Sequence, residues 1–324
     1  MKRRDFVRGG LAISSAGLAS PLVLAQSGFP NRPINFVVPF AAGGGGDVIA
    51  RLMAKGLSER FPTGVVVENR AGASGAIGSA HVLKSAPDGY TLLNMSSTYA
   101  IQAAVNDKLP FDPIGDLQPV MMVSRDPVVA IVHPDSAIRD AKTLEAMARK
   151  NPGKISHGSA GMGSIAHMAA EELGYNMNVQ LLHVPYKGSS QAFTDVMGRS
   201  VDMMFTSATF AAQHVKSGRV RAIGISGTSR SPKLPDVATF AEQGYPKYQV
   251  VDWKAIGGPK GMPADVLTRL NRELNEVLKT VAVREKFESE GTTVLGGSPE
   301  DMLKVIHADI AQWKNLVKVA NLKF

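Results

Sequence analysis

Cysteine is absent from the 324 residues. With it go disulfides, thiolate-bound zinc, iron–sulfur clusters, a cysteine nucleophile and a lipid-bearing N-terminal cysteine. An exported protein of this size can fold without disulfides, so the absence does not fix the compartment. Aromatic residues make up only 6% of the chain, and the formal charge of +8 comes from 36 Lys+Arg against 28 Asp+Glu with no basic block. That pattern is no footprint for nucleic acid, and it reads as ordinary solubility charge. No segment approaches the 18 or more consecutive apolar residues of a spanning helix. What is present is an ordinary globular composition, 44% hydrophobic and 20% charged, long enough for two lobes of roughly 150 residues each.

The chain opens MKRRDFVRGG, followed by a short apolar stretch, 11–25, interrupted by Ser14, Ser15, Ser20 and Pro21. A basic start, a short apolar run and a small residue at Ala25 predict a secretory signal over residues 1–25. Arg3-Arg4 followed by Asp5 and Phe6 resembles the twin-arginine type. Its removal takes away Lys2, Arg3, Arg4, Arg8 and Asp5, leaving a net +5. The expected product is periplasmic, unanchored and monomeric.

From Pro33 the pattern is strand, glycine loop, helix, repeated. INFVVP reads as a strand, AAGGGG as a loop, and Asp47 as the N-cap of a helix carrying Val48, Ile49, Leu52, Met53 and Leu57 at helical spacing. TLLNMSS predicts a strand running into a polar loop, MMVSRDPVVAIVHP two apolar runs, and 136–150 a helix. KISHGSAGMGS predicts a strand entering a second glycine loop, with a helix after it. VQLLHVPY, VDMMFTSA and RVRAIGIS read as strands and SSQAFTDVMGRS as a helix. Helices are expected at 264–279, 283–290 and 298–320, the last opened by Ser298 as N-cap, Pro299 at its first position and Asp301 three residues on. Strands alternating with helices predict an α/β fold with mostly parallel sheets. Chain crossings between lobes are expected near Arg125-Asp126 and at 249–253, dividing the chain into 26–125 plus 252–324 and 126–251.

Two glycine-rich strand-to-helix turns, 39–47 and 157–164, stand out. Glycine lets a ligand approach backbone amides closely, and a helix N-terminus aims partial positive charge at it. Both turns follow strands, at the end where open α/β sheets bind ligands. Neither carries the Lys-Ser/Thr of a nucleotide phosphate loop. Gly161-Met-Gly163-Ser-Ile-Ala166 fits a dinucleotide fingerprint, but the next strand ends with His183 and no ribose-binding acid, so no cofactor is expected. Gly72-Ala-Ser74-Gly-Ala76 and Gly224-Ile-Ser226-Gly-Thr228 each miss the last glycine of a serine-hydrolase elbow. The seven histidines look scattered, with no metal-ligand spacing. His167, on a helix's first turn, either caps and packs or reaches a ligand. Anion-binding loops without a catalytic set favour a binder over an enzyme.

INFVVPFAAGGGGDVIARLMAKGL and VVVENRAGASGAIGSAHVLKSAPDGYTLL, with NPGKISHGSAGMGSIAHMAAEEL, HVPYKGSSQAFTDVMGRSVDMMF and LPDVATFAEQGYP, resemble the substrate-binding proteins of tripartite tricarboxylate transporters, the Bug family. The resemblance runs through essentially all of the chain after residue 25. It implies a two-lobed, Venus-flytrap periplasmic binding protein fold with a small organic acid held between the lobes and passed to a permease of one large and one small integral subunit. The implied ligand residues are Phe40, Ala41, Ala42 and Gly43 in the first loop, Asn94 and Ser96 after the third strand, and Ser159, Gly161, Gly163 and Ser164 in the second loop; Thr206 is implied to face the same cleft, and His167 is the further candidate read from its own place on the helix. Asp47 is implied to order the first loop. Thr206 stands where the family commonly has Asp, which speaks against a ligand amine. Trp253 keeps the family's indole, as core, hinge or ligand contact. A sensor for a signalling partner and an enzyme on the same scaffold are the alternative readings.

Overall fold

The computed structural model describes residues 28–324; the expected export signal lies outside them. Ten strands join in one curled sheet whose two ends are parallel. At one end β1 (Ile34–Val38) lies between β2 (Val65–Asn69) and β3 (Thr91–Ser96), both parallel to it. At the other, β5 (Ser156–Ser159) lies between β6 (Leu182–Pro185) and β7 (Met203–Ser207), again in parallel. These strands are short and have helices on both faces, the condition under which parallel pairing is stable; β1 is a continuous apolar run apart from Asn35, whereas β5 is the polar run SHGS. The middle is antiparallel. β9 (Val251–Pro259) joins β3 to β4 (Leu117–Val132), and β4 continues to β7.

β4 connects the two ends. The two expected apolar runs form one 16-residue strand. Its residues 117–127 pair with β9, and part of that stretch also pairs with β10 (Thr293–Gly296). From Val128 to Val132 its partners become β7 and β8 (Arg221–Ile225). Pro127 sits at the handover, where a missing N–H costs least. Pro119 sits at one of two register shifts against β9.

Helices α1 (Gly45–Ser58), α8 (Ala264–Lys279) and α9 (Val281–Glu290) cover one face of the first end, and α2 (Ala76–Leu83) and α3 (Ser97–Val105) the other. At the second end, α4 (Ala141–Lys150) and α5 (Ile165–Met177) lie on one face, α6 (Ser189–Met197) and α7 (Ala208–Lys216) on the other. α10 (Pro299–Val319) spans both. Met302 and Ile306 enter the core beside α2, whereas Trp313 and Leu316 enter the core beside α5. Its 21 residues give a rod ~31 Å long. Its start carries the capping box anticipated at Ser298 and Asp301, with Pro299 in its first turn.

Packing and capping account for five departures. The polar loop expected after β3 is helix α3, because Ser97, Tyr99, Ala100 and Ile101 are all buried there and α10 packs on it. α4 begins at Ala141, not 136, since Asp140 and Thr143 form a reciprocal capping box there. α7 and β10 carry weak local signals and form against partners distant in sequence. Asp47 is not the N-cap of α1. Gly44 holds that place, and Asp47 lies inside the first turn.

Candidate functional site

The first glycine loop leaves β1 at Pro39 and enters α1 at Gly45. Ala41 to Gly45 are exposed, and Phe40 is half-buried. The first-turn amides of a helix have no carbonyl partner within it, so this end of α1 offers donors to an anion. Asp47 shapes the loop from behind. Its Oδ2 accepts from Gly43 N–H at 2.9 Å and Arg51 Nε at 2.9 Å, and its Oδ1 from Asn69 Nδ2 at 2.9 Å. Asn69 Nδ2 also reaches the Phe40 carbonyl at 3.1 Å. Burial alone would raise the Asp47 pKa, but the bonds from Arg51, Gly43 and Asn69 outweigh it and hold the carboxyl below its ordinary range. Asn94, on β3, is buried under the same turn. Its Nδ2 donates to the Gly46 carbonyl at 3.3 Å, while its Oδ1 is buried without a hydrogen-bond partner. Ser96 is the N-cap residue of α3, with no side-chain cap bond.

The second loop leaves β5 at Ser159 and enters α5 at Ile165. Gly161 and Gly163 have φ of +120° and +68°, the left-handed region that favours glycine. Ser159 is fully buried. Its Oγ lies 2.7 Å from His183 Nε2 and accepts from Gly161 N–H at 3.1 Å. Ser164 caps α5, its Oγ accepting from His167 N–H at 3.4 Å. His167 turns back on the loop, Nδ1 accepting from Gly163 N–H at 3.0 Å. These three side chains therefore support the loop from behind. What the loop itself can present is backbone and the half-exposed Met162. Thr206 lies at the same sheet edge, half-buried near the end of β7 and paired with Val129.

The two loops are brought together by residues that the sequence reading passed over. Ser74, in the turn 72–75, donates to the Met162 carbonyl at 2.9 Å. Gln102 Nε2, on α3, reaches the Met162 and Gly163 carbonyls, each at 3.2 Å. The turn carrying Ser74 packs against the first loop: a Cβ on Gly75 would lie 3.2 Å from the Phe40 ring and 3.5 Å from Pro39. Second loop, Ser74 turn and first loop thus form one continuous contact. Ser74 had appeared only as part of an imperfect elbow motif, and Gln102 lies in the helix that had read as loop.

The histidines are not all scattered. His157, His167 and His183, from β5, α5 and β6, stack behind the second loop, with ring centroids 3.7 Å apart for His167 and His183 and 5.0 Å for His157 and His183. Glu171 Oε1 lies 3.4 Å from His157 Nε2 and 3.5 Å from His167 Nε2. Sequence spacing could not reveal a convergence that parallel strand pairing creates. The cluster has no metal-site geometry: among the described residues, no group of three or more His, Cys, Asp or Glu is arranged to hold an ion. The Ser159–His183 pair has the spacing of a nucleophile and its base, but Ser159 is closed off from solvent. Trp253 is core: its indole is buried, and Nε1 donates to Asp309 at 2.5 Å.

Among the described residues no helix is long and apolar enough to cross a membrane. A family profile described as "Tripartite tricarboxylate transporter family receptor" matches residues 49–322. A protein of Pseudomonas sp. strain P51, named "UPF0065 protein in tcbD-tcbE intergenic region", is 40% identical over 315 residues, spanning 97% of this chain and 94% of that one. The solved structure of the periplasmic binding protein BugD superposes with a TM-score of 0.85 at 34% identity, covering 91% of this chain and 99% of its own. Rpa4515 of R. palustris with adipate gives 0.86 at 31%, with 91% and 99% covered. MatC of Rhodopseudomonas palustris with bound malate gives 0.84 at 27%, with 89% and 100% covered. The chain belongs to the tripartite tricarboxylate transporter receptor family, the Bug-type periplasmic solute-binding proteins.

Proposed function

We propose that this protein captures a small organic dianion, a dicarboxylate or a related acid, between its two glycine loops and delivers it unchanged to the integral subunits of a tripartite permease. The lobes are 26–125 with 252–324, and 126–251, the end of α10 reaching across so that Trp313 and Leu316 pack into the second. The hinge runs through β4 at Pro127 and the start of β9. One carboxylate lies against the first loop at Ala41, Ala42, Gly44 and Gly45, the Gly43 N–H being held by Asp47, and the other against the loop from Ser159 to Ser164. An unpaired buried carboxylate is very costly, and backbone N–H groups neutralise it without ordering long side chains. Bridging waters adapt such a site to acids of different length. Adipate and malate, the ligands named for two structural relatives, are both dicarboxylates.

The carrying observation is the continuous contact from the second loop through Ser74 to Phe40 and Pro39, which puts two amide-rich helix starts from opposite ends of the sheet beside one cleft. Thr206 rather than a carboxylate beside that cleft favours ligands without an amine. Isothermal titration of the purified protein against adipate, malate, other di- and tricarboxylates and acidic amino acids tests the reading. A non-amino dicarboxylate should bind with Kd near micromolar, about −8 kcal/mol. Absence of any binder at millimolar concentration, or chemical conversion of an added acid, overturns it.

A further inference from the structure

The two chain crossings between the lobes lie side by side, and a buried serine grips them from each end. β4 and β9 pair as far as Pro127 opposite Val251. The next opposed residues would be Val128 and Val250, but there the hydroxyl of Ser226, fully buried just past β8, stands between the chains. Val128 N–H donates to Ser226 Oγ at 2.8 Å, and that Oγ donates to the Val250 carbonyl at 2.5 Å. Ser226 N–H returns to the Val128 carbonyl at 2.8 Å. An N–H only donates and a carbonyl only accepts, so the hydroxyl is a relay of fixed direction that replaces one rung of the ladder. Val128 and Val250 both belong to the core beneath α4 and α5. One side chain thus ties both crossings to the second lobe at the same level.

Ser97 does the corresponding work in the first lobe. It is fully buried at the start of α3, and its Oγ accepts from Trp253 N–H at 2.8 Å. Its own proton faces the Asp252 carboxylate at 2.9 Å and the Val251 carbonyl at 3.2 Å. The other oxygen of Asp252 is paired with the buried ammonium of Lys254. On β4 the matching hold is the ladder to β10 at Ser124 and Arg125. Between the two grips lie Asp126 and Pro127 on β4 and Val251 and Asp252 on β9, which are one another's register partners. Pro127 has no N–H to give to the ladder, and its ring fixes φ. A hinge consists of a few residues that absorb φ/ψ change between firmly held neighbours, and this patch of four has that form.

We propose that Ser226 and Ser97 are positioning residues that confine the movement of the lobes to Asp126-Pro127 and Val251-Asp252, so that the two glycine loops return to one relative placement at each closure. A loosely held hinge would spread the loops over many placements, of which only one sets Ser74 and Gln102 on the Met162 carbonyl. The role in closure rests on the reading that the lobes close on a ligand; the confinement itself is measurable without one.

The chain has no cysteine, so one pair of spin labels can be placed cleanly, through Lys55→Cys on α1 and Lys150→Cys on α4, both exposed and on opposite lobes. Double electron–electron resonance on the ligand-free protein reads the distribution of lobe-to-lobe distances. Ser226→Ala should widen that distribution about twofold, because the released torsions then extend past Val128 and Val250. Ser226→Thr keeps the hydroxyl and should restore the wild-type width, a rescue that a general packing defect would not show. Val251→Gly loosens the pivot while leaving both serines in place, and it should widen the distribution even if the alanine variant fails to fold. A width no greater than wild type in Ser226→Ala or in Val251→Gly, or a threonine variant as wide as the alanine one, overturns the proposal. Adipate is then added to the labelled wild type. Narrowing toward the short distances upholds closure on a dicarboxylate. A distribution that adipate leaves unchanged, with no heat of binding, removes the dicarboxylate reading instead, and the ligand-free comparison still decides the hinge.

Discussion

The two glycine loops share a plan, a strand, an amide-rich turn and a helix start, yet they are braced by opposite chemistry. The first is exposed and tied down by an ionised carboxylate, Asp47, whose oxygens gather Gly43, Arg51 and Asn69. The second is held by neutral groups: His167, Ser159 and Ser164 accept from its amides behind, while the Gln102 amide and the Ser74 hydroxyl donate to its carbonyls across the cleft. The Asp47 carboxyl is held below its ordinary range by the donors it gathers, whereas the His167 brace is a neutral ring nitrogen that accepts a single N–H. The difference teaches that equal-looking loops can be held in shape by unlike chemistry.

Alanine at one glycine of each loop separates them most sharply. At Gly163 a Cβ would lie 2.4 Å from Gln102 Nε2 and 3.1 Å from Val105, on a backbone with φ +68°. Gln102 cannot yield without losing its bonds to the Met162 and Gly163 carbonyls. Left-handed strain of ~1–2 kcal/mol with one or two lost hydrogen bonds of ~1 kcal/mol each predicts a loss near 3 kcal/mol, roughly a hundredfold in ligand affinity. At Gly43, φ is +83° but nothing lies within 4 Å of the added Cβ. Gly43→Ala should therefore show only the strain, about tenfold or less. Calorimetry on both variants checks the ratio, and equal losses would mean that the cross-cleft contact contributes nothing to binding.

How much of this could be read from the chain depends on what each feature needs. β1, α1, α8 and α10 carry their own periodicity, and α10 its capping box as well, so INFVV, the Val48 to Leu57 spacing and the Ser298 box predict them directly. Both glycine loops were legible for the same reason. α3 was not, because its apolar residues are interleaved with Ser97, Thr98 and Gln102, which only burial against α10 explains. The roles of Ser159, Ser164 and His167 as supports were hidden, since a hydroxyl or ring beside a glycine turn can face either way. The histidine stack needs β5 and β6 to pair in register, His157 opposite His183, a fact that no local spacing encodes.

The carboxylate brace gives the next prediction. Asp47→Ala leaves the Gly43 N–H, Asn69 Nδ2 and Arg51 without their shared acceptor at a buried position. The expected cost is ~2 kcal/mol of stability, read as a lower urea midpoint. Because the folded carboxyl is held below its ordinary value, that stability is present above the unfolded pKa of about 3.9 and is lost as pH falls through the lower folded one. The gap between wild type and Asp47→Ala should hence stay constant between about pH 8 and 5 and close only in stronger acid. A gap that shrinks across that range would mean that the Asp47 carboxylate is not what braces the first loop.

The smallest effects belong to the clasp that joins the loops. Gln102 is buried and reaches two carbonyls at 3.2 Å each, whereas Ser74 reaches one at 2.9 Å from a half-buried turn. Exposed hydrogen bonds compete with water and contribute least, so Gln102→Ala should cost ~1 kcal/mol of the closed state and Ser74→Ala a few tenths. Neither residue touches the braces of its own loop, so the loss should appear as faster ligand release, about fivefold for Gln102→Ala and below twofold for Ser74→Ala, with association nearly unchanged. Stopped-flow dissociation measures this, and small-angle scattering should show the Gln102→Ala protein more open before ligand is added. If release is unchanged in both variants, the cross-cleft bonds merely follow closure, and the braces behind each loop carry the whole of the binding.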